Sequence, residues 1–336
     1  MRAGAWLRRA LRSFRPRRFF FIVNNRNHVR IFAPVVQRLI ALSQPCIIAD
    51  IERESGDRGA RHELAAAGLS SVSIDVLQAQ ITRRDLLVVA NDWYPDVVVE
   101  TMQLCGRRGV RRIGVIEGAR STKPDRYRLV DHVLGWGASS RNAFKVPVSV
   151  VGSPIIEAAW RRPPPSIATP DFAVIAFKEP GPTAAAQQAW LEQTTGACRA
   201  LGIPFEISCH PSYRLPQAFA ASQREFRDLM PEAAVLITQP STLVYEAMAA
   251  GKPVVLFPAA DEPLLEFADP NGAFEMAREP AELPALLRAA LAGRHDCRER
   301  CRAFFDLHVS IDPQIAASER IAQALIQIAE NKRLVP

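Results

Sequence analysis

Ser241, Thr242 and Glu246 combine a hydroxyl pair and a carboxylate at a spacing suited to holding a nucleotide. The surrounding run, residues 234–257, reads as a buried strand over 234–237, a break at Gln239-Pro240, a helix over 241–250 stopped by Gly251, and a second buried run over 254–257 opened by Pro253. Ser241 takes the N-cap position, where its hydroxyl is expected to accept from a backbone N–H one turn in. The other unpaired N–H groups point out of the helix end with the positive pole of the dipole, and such an end binds phosphate. Glu246 lies five positions on, where a carboxylate can accept from the two hydroxyls of a ribose. The plainer alternative is an ordinary capped helix with a solvated glutamate.

Other reactive side chains follow apolar runs of strand length. His28 comes after the run 18–23, in the loop N-N-R-N-H-V-R that leads into a helix over 29–42. Asp92 follows the run 86–90, Glu117 follows 112–116, and His210 follows 204–208. Open α/β sheets bind ligands at the carboxyl ends of their strands, so each of these positions is a candidate for binding or proton transfer. For His28 a capping or surface role is the alternative.

The pattern S-T-x-x-x-E-A-x-x-x-G-K-P-V, beginning at Ser241, resembles the donor-nucleotide motif of GT-B glycosyltransferases. It also resembles that of their relatives, the hydrolysing nucleotide-sugar 2-epimerases and the polyol-phosphate transferases. The resemblance implies a diphosphate at the Ser241-Thr242 helix end and a ribose on Glu246. It also implies that His210, in a His-Pro pair, lies beside the phosphates with Arg214 as a second cation. The run N-H-V-R-I-F-A-P resembles the first loop and helix of many such transferases, and V-V-G-S-P-I-I-E-A-A-W (150–160) resembles the segment that ends their first domain. The segment R-S-x-x-P-D-R-Y-R-L-V-D-H (120–132) resembles the epimerases, which implies catalytic positions for Asp92, Glu117 and Asp125. Two departures favour transfer over epimerisation: Pro240-Ser241-Thr242 replaces the epimerase S-G-G, and Tyr245 replaces a glutamate. The implied activity is transfer of a sugar from a nucleotide sugar, UDP- or CDP-linked, to a glycan or lipid-linked acceptor of a bacterial surface polymer, with His28 or Glu117 as the base. A UDP-GlcNAc 2-epimerase and a CDP-polyol phosphotransferase are the alternatives.

To position these residues the chain must build two parallel sheets. Short apolar runs alternate with helical stretches throughout, the mark of an α/β protein with doubly wound parallel sheets. The expected fold is GT-B: two Rossmann-like domains facing a cleft. Its parts are a basic amphipathic segment (1–18), an acceptor domain (19–160), a proline-rich linker (161–170), a donor domain (171–313) and a terminal helix (314–336) that packs back on the first domain. Within the acceptor domain, residues 71–76 read as a strand and 58–67 as a helix.

Composition narrows the partners. Of 42 Lys+Arg, ten arginines lie before residue 50, where no acid occurs; the other 32 face 35 acids, so the net charge of +7 belongs to the amino-terminal end. Residues 1–18 set Trp6, Leu7, Leu11 and Phe14 among arginines, a pattern suited to the surface of an anionic membrane. A disordered basic tail and a helix packed on its own domain are the alternatives. No apolar run approaches the roughly 18 residues of a membrane span, and the segment lacks the apolar core and cleavage site of a secretory signal. Cysteines 46, 105, 198, 209, 297 and 301 form no C-x-x-C pair, which points to a reducing cytoplasm without structural disulfides. There is no G-x-x-x-x-G-K-[ST] loop, no D-x-D metal motif and no nucleic-acid-binding signature, so neither a resident metal or cofactor nor nucleic acid is expected.

Overall fold

The computed structural model describes residues 17–55, 59–119, 126–162, 172–178, 183–210, 213–293 and 296–330. Most of the amphipathic segment, residues 163–170 of the proline-rich stretch, Asp125 and Pro211 lie outside the described residues. The chain divides into two compact units. One comprises Met1–Glu117, Ser121–Pro154 and Ser310–Pro336, the other Gly118–Arg120 and Ile155–Val309.

The first unit opens with strand β1 (Phe19–Val23), buried at every position, and helix α1 (Arg26–Ala41). After β2 (Cys46–Asp50) come three short helices, α2 (Glu52–Ser55), α3 (Ala60–Ala66) and α4 (Ile74–Gln80). Strand β3 (Leu86–Val89), helix α5 (Asp96–Arg107), then β4 (Arg111–Val115), β5 (His132–Gly135) and β6 (Val148–Val150) complete a parallel sheet. Its order is β2-β1-β3-β4-β5-β6. Chain direction across the sheet reverses between β1 and β3, which makes the carboxyl ends of those strands the switch point where ligands bind in such folds. A terminal helix (Ala317–Ala329) packs on α1.

One sequence expectation needs correction here. Residues 71–76 do not form a strand: a single bridge joins Val72 to Ala49, after which Ser73 accepts from the Val76 N–H and caps α4. A serine followed by Ile-Asp-Val-Leu satisfies both patterns locally, and the cap decides.

The second unit begins with helix α6 (Pro154–Arg161), whose first residue still belongs to the first unit. Strands β7 (Phe172–Phe177), β8 (Phe205–Cys209), β9 (Ala233–Thr238), β10 (Val254–Leu256) and β11 (Glu275–Met276) form a second parallel sheet, in the order β11-β10-β9-β7-β8. Helices α7 (Ala184–Ala200), α8 (Phe226–Leu229) and α9 (Thr242–Ala249) connect the strands, and α10 (Leu283–Ala292), α11 (Cys297–Arg300) and α12 (Arg302–His308) follow. Here the switch point lies between β7 and β9. Tyr245 sits in an aromatic cluster with Phe267, Phe304 and Phe305, which gives its place in the nucleotide motif a packing role. Among the described residues no helix is long and apolar enough to cross a membrane.

Close packing at the start of the first sheet carries a pH consequence. His132 stands 2.9 Å from Ser149 Oγ, and burial, with help from Arg111, lowers its pKa from 6.5 to about 4. Between those values the unfolded chain binds the proton and the folded chain does not, so stability rises with pH across this window and is lost as pH falls from about 6.5 to about 4. His132→Gln is therefore expected to flatten the stability–pH curve between pH 4 and 6.5 relative to the parent, as read by urea unfolding at a series of pH values.

Candidate active site

In the first unit the site begins at the end of β1. Asn25 N-caps α1, its side chain accepting from the His28 N–H at 2.9 Å, which fixes His28 in the first helical turn. The His28 ring is buried, with 2% exposure, and its Nε2 meets Glu117 Oε2, while the Glu117 side chain is 23% exposed. Phe32, one turn along α1, packs edge-on to the imidazole. The two residues therefore form one unit, with the imidazole inside and the carboxylate toward solvent. Among the described residues His28 Nδ1 is buried without a hydrogen-bond partner, as are Asn24 Oδ1 and Asn91 Oδ1. Asn24 and Asn91 follow paired strands, Ile22 standing opposite Val89, so these buried acceptors gather at the switch point.

Asp92 is placed differently. Its carboxylate is buried and accepts from the backbone N–H of Tyr127 at 2.8 Å and of Leu129 at 2.6 Å. Burial raises its pKa, and the two N–H groups oppose that rise. Asp92 thus anchors the loop that returns from β4 to β5. Tyr127 completes the anchor: its hydroxyl lies 2.6 Å from the Ala90 carbonyl and 3.0 Å from that of Val115. The ring crosses Gly114 so closely that a Cβ there would stand 2.5 Å from it, which is why this strand position is glycine.

In the second unit, the N–H of Val244 reaches the Ser241 carbonyl, and Ser241 has the extended backbone of an N-cap. The expected hydroxyl cap is absent. Ser241 Oγ turns instead toward Thr238 Oγ1, 3.4 Å away, so the hydroxyl does not cap the helix. Thr242 Oγ1 accepts from the N–H of Ala119, whose short segment belongs with this unit.

Glu246 is buried rather than solvated. Arg227 grips it in a fork, Nε to Oε2 at 2.7 Å and Nη2 to Oε1 at 2.9 Å. Lys252 of the same motif is also buried and donates to the carbonyls of Pro231 and Ala233, both at 2.8 Å, which assigns it a structural role.

His210 and Arg214 are exposed. The His210 N–H donates to the Phe177 carbonyl, placing it at the carboxyl edge of the second sheet, and its ring centroid lies 5.4 Å from that of Tyr213. Phe177 pairs with Cys209 and Ala176 with Thr238, so Lys178, His210 and Pro240 stand at one level beyond the strands. Gln239 joins this edge: its Oε1 accepts from the Lys178 N–H at 3.3 Å and its Nε2 donates to Glu262 at 3.2 Å. Sequence reasoning missed Arg227, Gln239 and Glu262. Gln239 had a signal in its place at a strand end before proline; Arg227, on a four-residue helix, had none.

Two parallel sheets with these strand orders, each presenting polar groups beyond its carboxyl ends, define the GT-B fold implied by the motif at Ser241. The comparisons agree. The chain is similar to a UDP-GlcNAc 2-epimerase of Methanocaldococcus jannaschii in complex with UDP-GlcNAc and UDP, with 12% identity and a TM-score of 0.65 over 92% of this chain and 99% of that one. It is similar to MurG of Acinetobacter baumannii, with 12% identity and a TM-score of 0.55 over 93% and 100% of the two chains. It is likewise similar to the spinosyn forosaminyltransferase SpnP, with 13% identity and a TM-score of 0.56 over 94% and 99%. At these identities the likeness establishes the fold. No family model matches the sequence, and no curated protein does.

The Arg227–Glu246 fork allows a direct check. Arg227→Met leaves a buried carboxylate without its partner and is expected to cost about 3 kcal/mol of stability. Arg227→Met with Glu246→Gln should recover much of that loss, both read by urea unfolding.

Proposed function

We propose that the protein is a glycosyltransferase that moves a sugar from a nucleotide donor to a hydroxyl of a glycan or lipid-linked acceptor in the making of a bacterial surface polymer. The observation that carries this reading is the His28–Glu117 pair at the switch point of the first sheet. It presents one carboxylate to solvent and backs it with a buried imidazole.

In this reading Glu117 takes the proton from the acceptor hydroxyl as the oxygen attacks the sugar carbon, and the bond from that carbon to the donor phosphate breaks. His28, donating from Nε2, holds the carboxylate in place and is a positioning residue. The departing nucleoside diphosphate is received by the first-turn N–H groups of α9 beside Ser241 and Thr242, with His210 and Arg214 as counter-charges. Glu246, fixed by Arg227, accepts from the ribose hydroxyls through its remaining lone pairs. Residues 1–18 bring the protein to the cytoplasmic face of an anionic membrane, where lipid-linked acceptors reside.

Transfer is favoured over 2-epimerisation, the alternative for this fold, by Pro240-Ser241-Thr242 and Tyr245, where the sequence departs from the epimerase pattern.

A calorimetric panel of UDP, CDP, GDP and ADP sugars is expected to give one tight class, weakened by Ser241→Ala with Thr242→Ala; binding of none of them sinks the donor assignment. Incubating UDP-GlcNAc without acceptor should leave it intact, and formation of its 2-epimer would replace transfer by epimerisation. With acceptor supplied, Glu117→Gln should lower turnover by about 10²–10⁴-fold with donor affinity unchanged. His28→Gln should lower it less, in kcat rather than in donor affinity, as expected of a residue that positions the base.

A further inference from the structure

The opposite edge of the first sheet carries a concentration of charge that the proposed chemistry does not use. Each of three adjacent strands begins beside an arginine pair: Arg17-Arg18 before β1, Arg83-Arg84 before β3, and Arg111-Arg112 opening β4. A fourth pair, Arg107-Arg108, ends α5 just before β4. The register sets Phe19 against Leu86 and Leu86 against Arg111, so the pairs lie side by side. Neighbouring strands are about 4.8 Å apart, which spreads the group across about 10 Å, close to a Debye length in physiological salt.

Their neighbours confirm the cluster. Arg83 Cβ lies 4.0 Å from where a Cβ on Gly109 would stand, in the left-handed turn that follows Arg107-Arg108. Arg108 donates to the Gln78 carbonyl, and Arg111 to that of Ile328 at 2.6 Å. Carbonyl partners fix a guanidinium without cancelling its charge. Asp85 pairs with Arg18 at 2.9 Å and Asp131 with Arg112 at 2.6 Å. Glu330, two residues past the Ile328 carbonyl, is a third carboxylate near this edge. Among the described residues of this edge, eight arginines against three carboxylates leave a net of five positive charges. Arg83 and Arg107 are exposed and form no ion pair among the described residues.

We infer that this arginine edge of the folded first unit is itself a docking face for an anionic lipid surface. Two observations select lipid. The chain passes into this edge through Arg17, and the sequence before it adds five more arginines together with Trp6, Leu7, Leu11 and Phe14. Apolar side chains interleaved with arginine gain by insertion among acyl chains and have no counterpart in binding a phosphate backbone. The face also lies at the strand starts, about 16 Å along β1 from the edge holding His28 and Glu117, so docking leaves that pair uncovered. The inference shares the lipid partner with the proposed function but is independent of the reaction.

The full chain is tested by co-sedimentation with phosphatidylcholine vesicles, with and without phosphatidylglycerol. Binding should require phosphatidylglycerol and fall steeply with salt. Arg83→Gln with Arg107→Gln should lower the partition coefficient about 25-fold, about fivefold for each arginine, at an unchanged melting temperature. Arg53→Gln with Arg128→Gln, which removes the same charge from exposed sites outside the face, should leave partition unchanged. Deleting residues 2–16 should weaken binding yet leave a remainder that the Arg83/Arg107 pair of substitutions removes. A deletion that abolishes binding, combined with insensitivity of the full chain to the Arg83/Arg107 pair, overturns the docking face while leaving the amphipathic segment as an anchor. Parent protein that ignores phosphatidylglycerol vesicles but retains single-stranded RNA overturns it as well.

Discussion

The parallel hydrogen-bonded register of the two sheets is the constraint on which the rest of the structure depends. Because every strand runs the same way, every strand-to-helix junction falls on one edge of its sheet and every helix-to-strand junction on the other. In the first sheet this brings Asn24, His28, Asn91 and Glu117 together although nearly a hundred residues separate the first from the last. In the second it sets Lys178, His210 and Pro240 at one level, with Gln239 and Ser241 on either side of Pro240 in the chain. Apolar strands fix this geometry: β1 and β9 are buried at every position, and a slip of one residue would turn alternate side chains to the wrong face.

Against that frame the polar residues divide into those that hold and those that are held. Asp92, Lys252 and Arg227 are ionisable groups whose type suggests chemistry, yet each satisfies backbone carbonyls, backbone N–H groups or a buried carboxylate. A buried charge persists only when paired or fully hydrogen-bonded, and Asp92, Lys252 and Glu246 meet that requirement with structural partners. Glu117 and His210 differ in reaching solvent at a strand end.

Much of this was legible in the sequence. Apolar runs of strand length ended at His28, Asp92, Glu117 and His210, and the strand-helix-strand around Ser241 is present nearly residue for residue. Local signals sufficed there because cap, stop and hydrophobic run agreed. They failed where a distant partner decides: nothing near Glu246 announces Arg227 on another short helix, and nothing near Asp92 shows that it ties down a loop 35 residues later. The turn of Ser241 Oγ toward Thr238 was equally hidden, since the N-cap pattern describes the backbone and leaves the rotamer open. Residues 71–76 failed for a different reason, two local patterns competing over the same six positions until the Ser73 cap settled them.

The same polarity accounts for the division of charge within the first unit. Helices return antiparallel to the strands they follow, so their positive ends lie at the carboxyl edge of the sheet and their negative ends at the strand starts. An anion is favoured at the first edge and a cation at the second, and Arg38 and Arg107 occupy the last turns of α1 and α5 accordingly. A helix end supplies only about half an elementary charge, however, and a net surplus of five exceeds what two such ends offset. Self-repulsion on that scale opposes folding unless an outside anion relieves it. The sheet thus sets two surfaces of opposite electrostatic demand back to back: one shaped by individual side chains around His28 and Glu117, the other defined by the density of its charge.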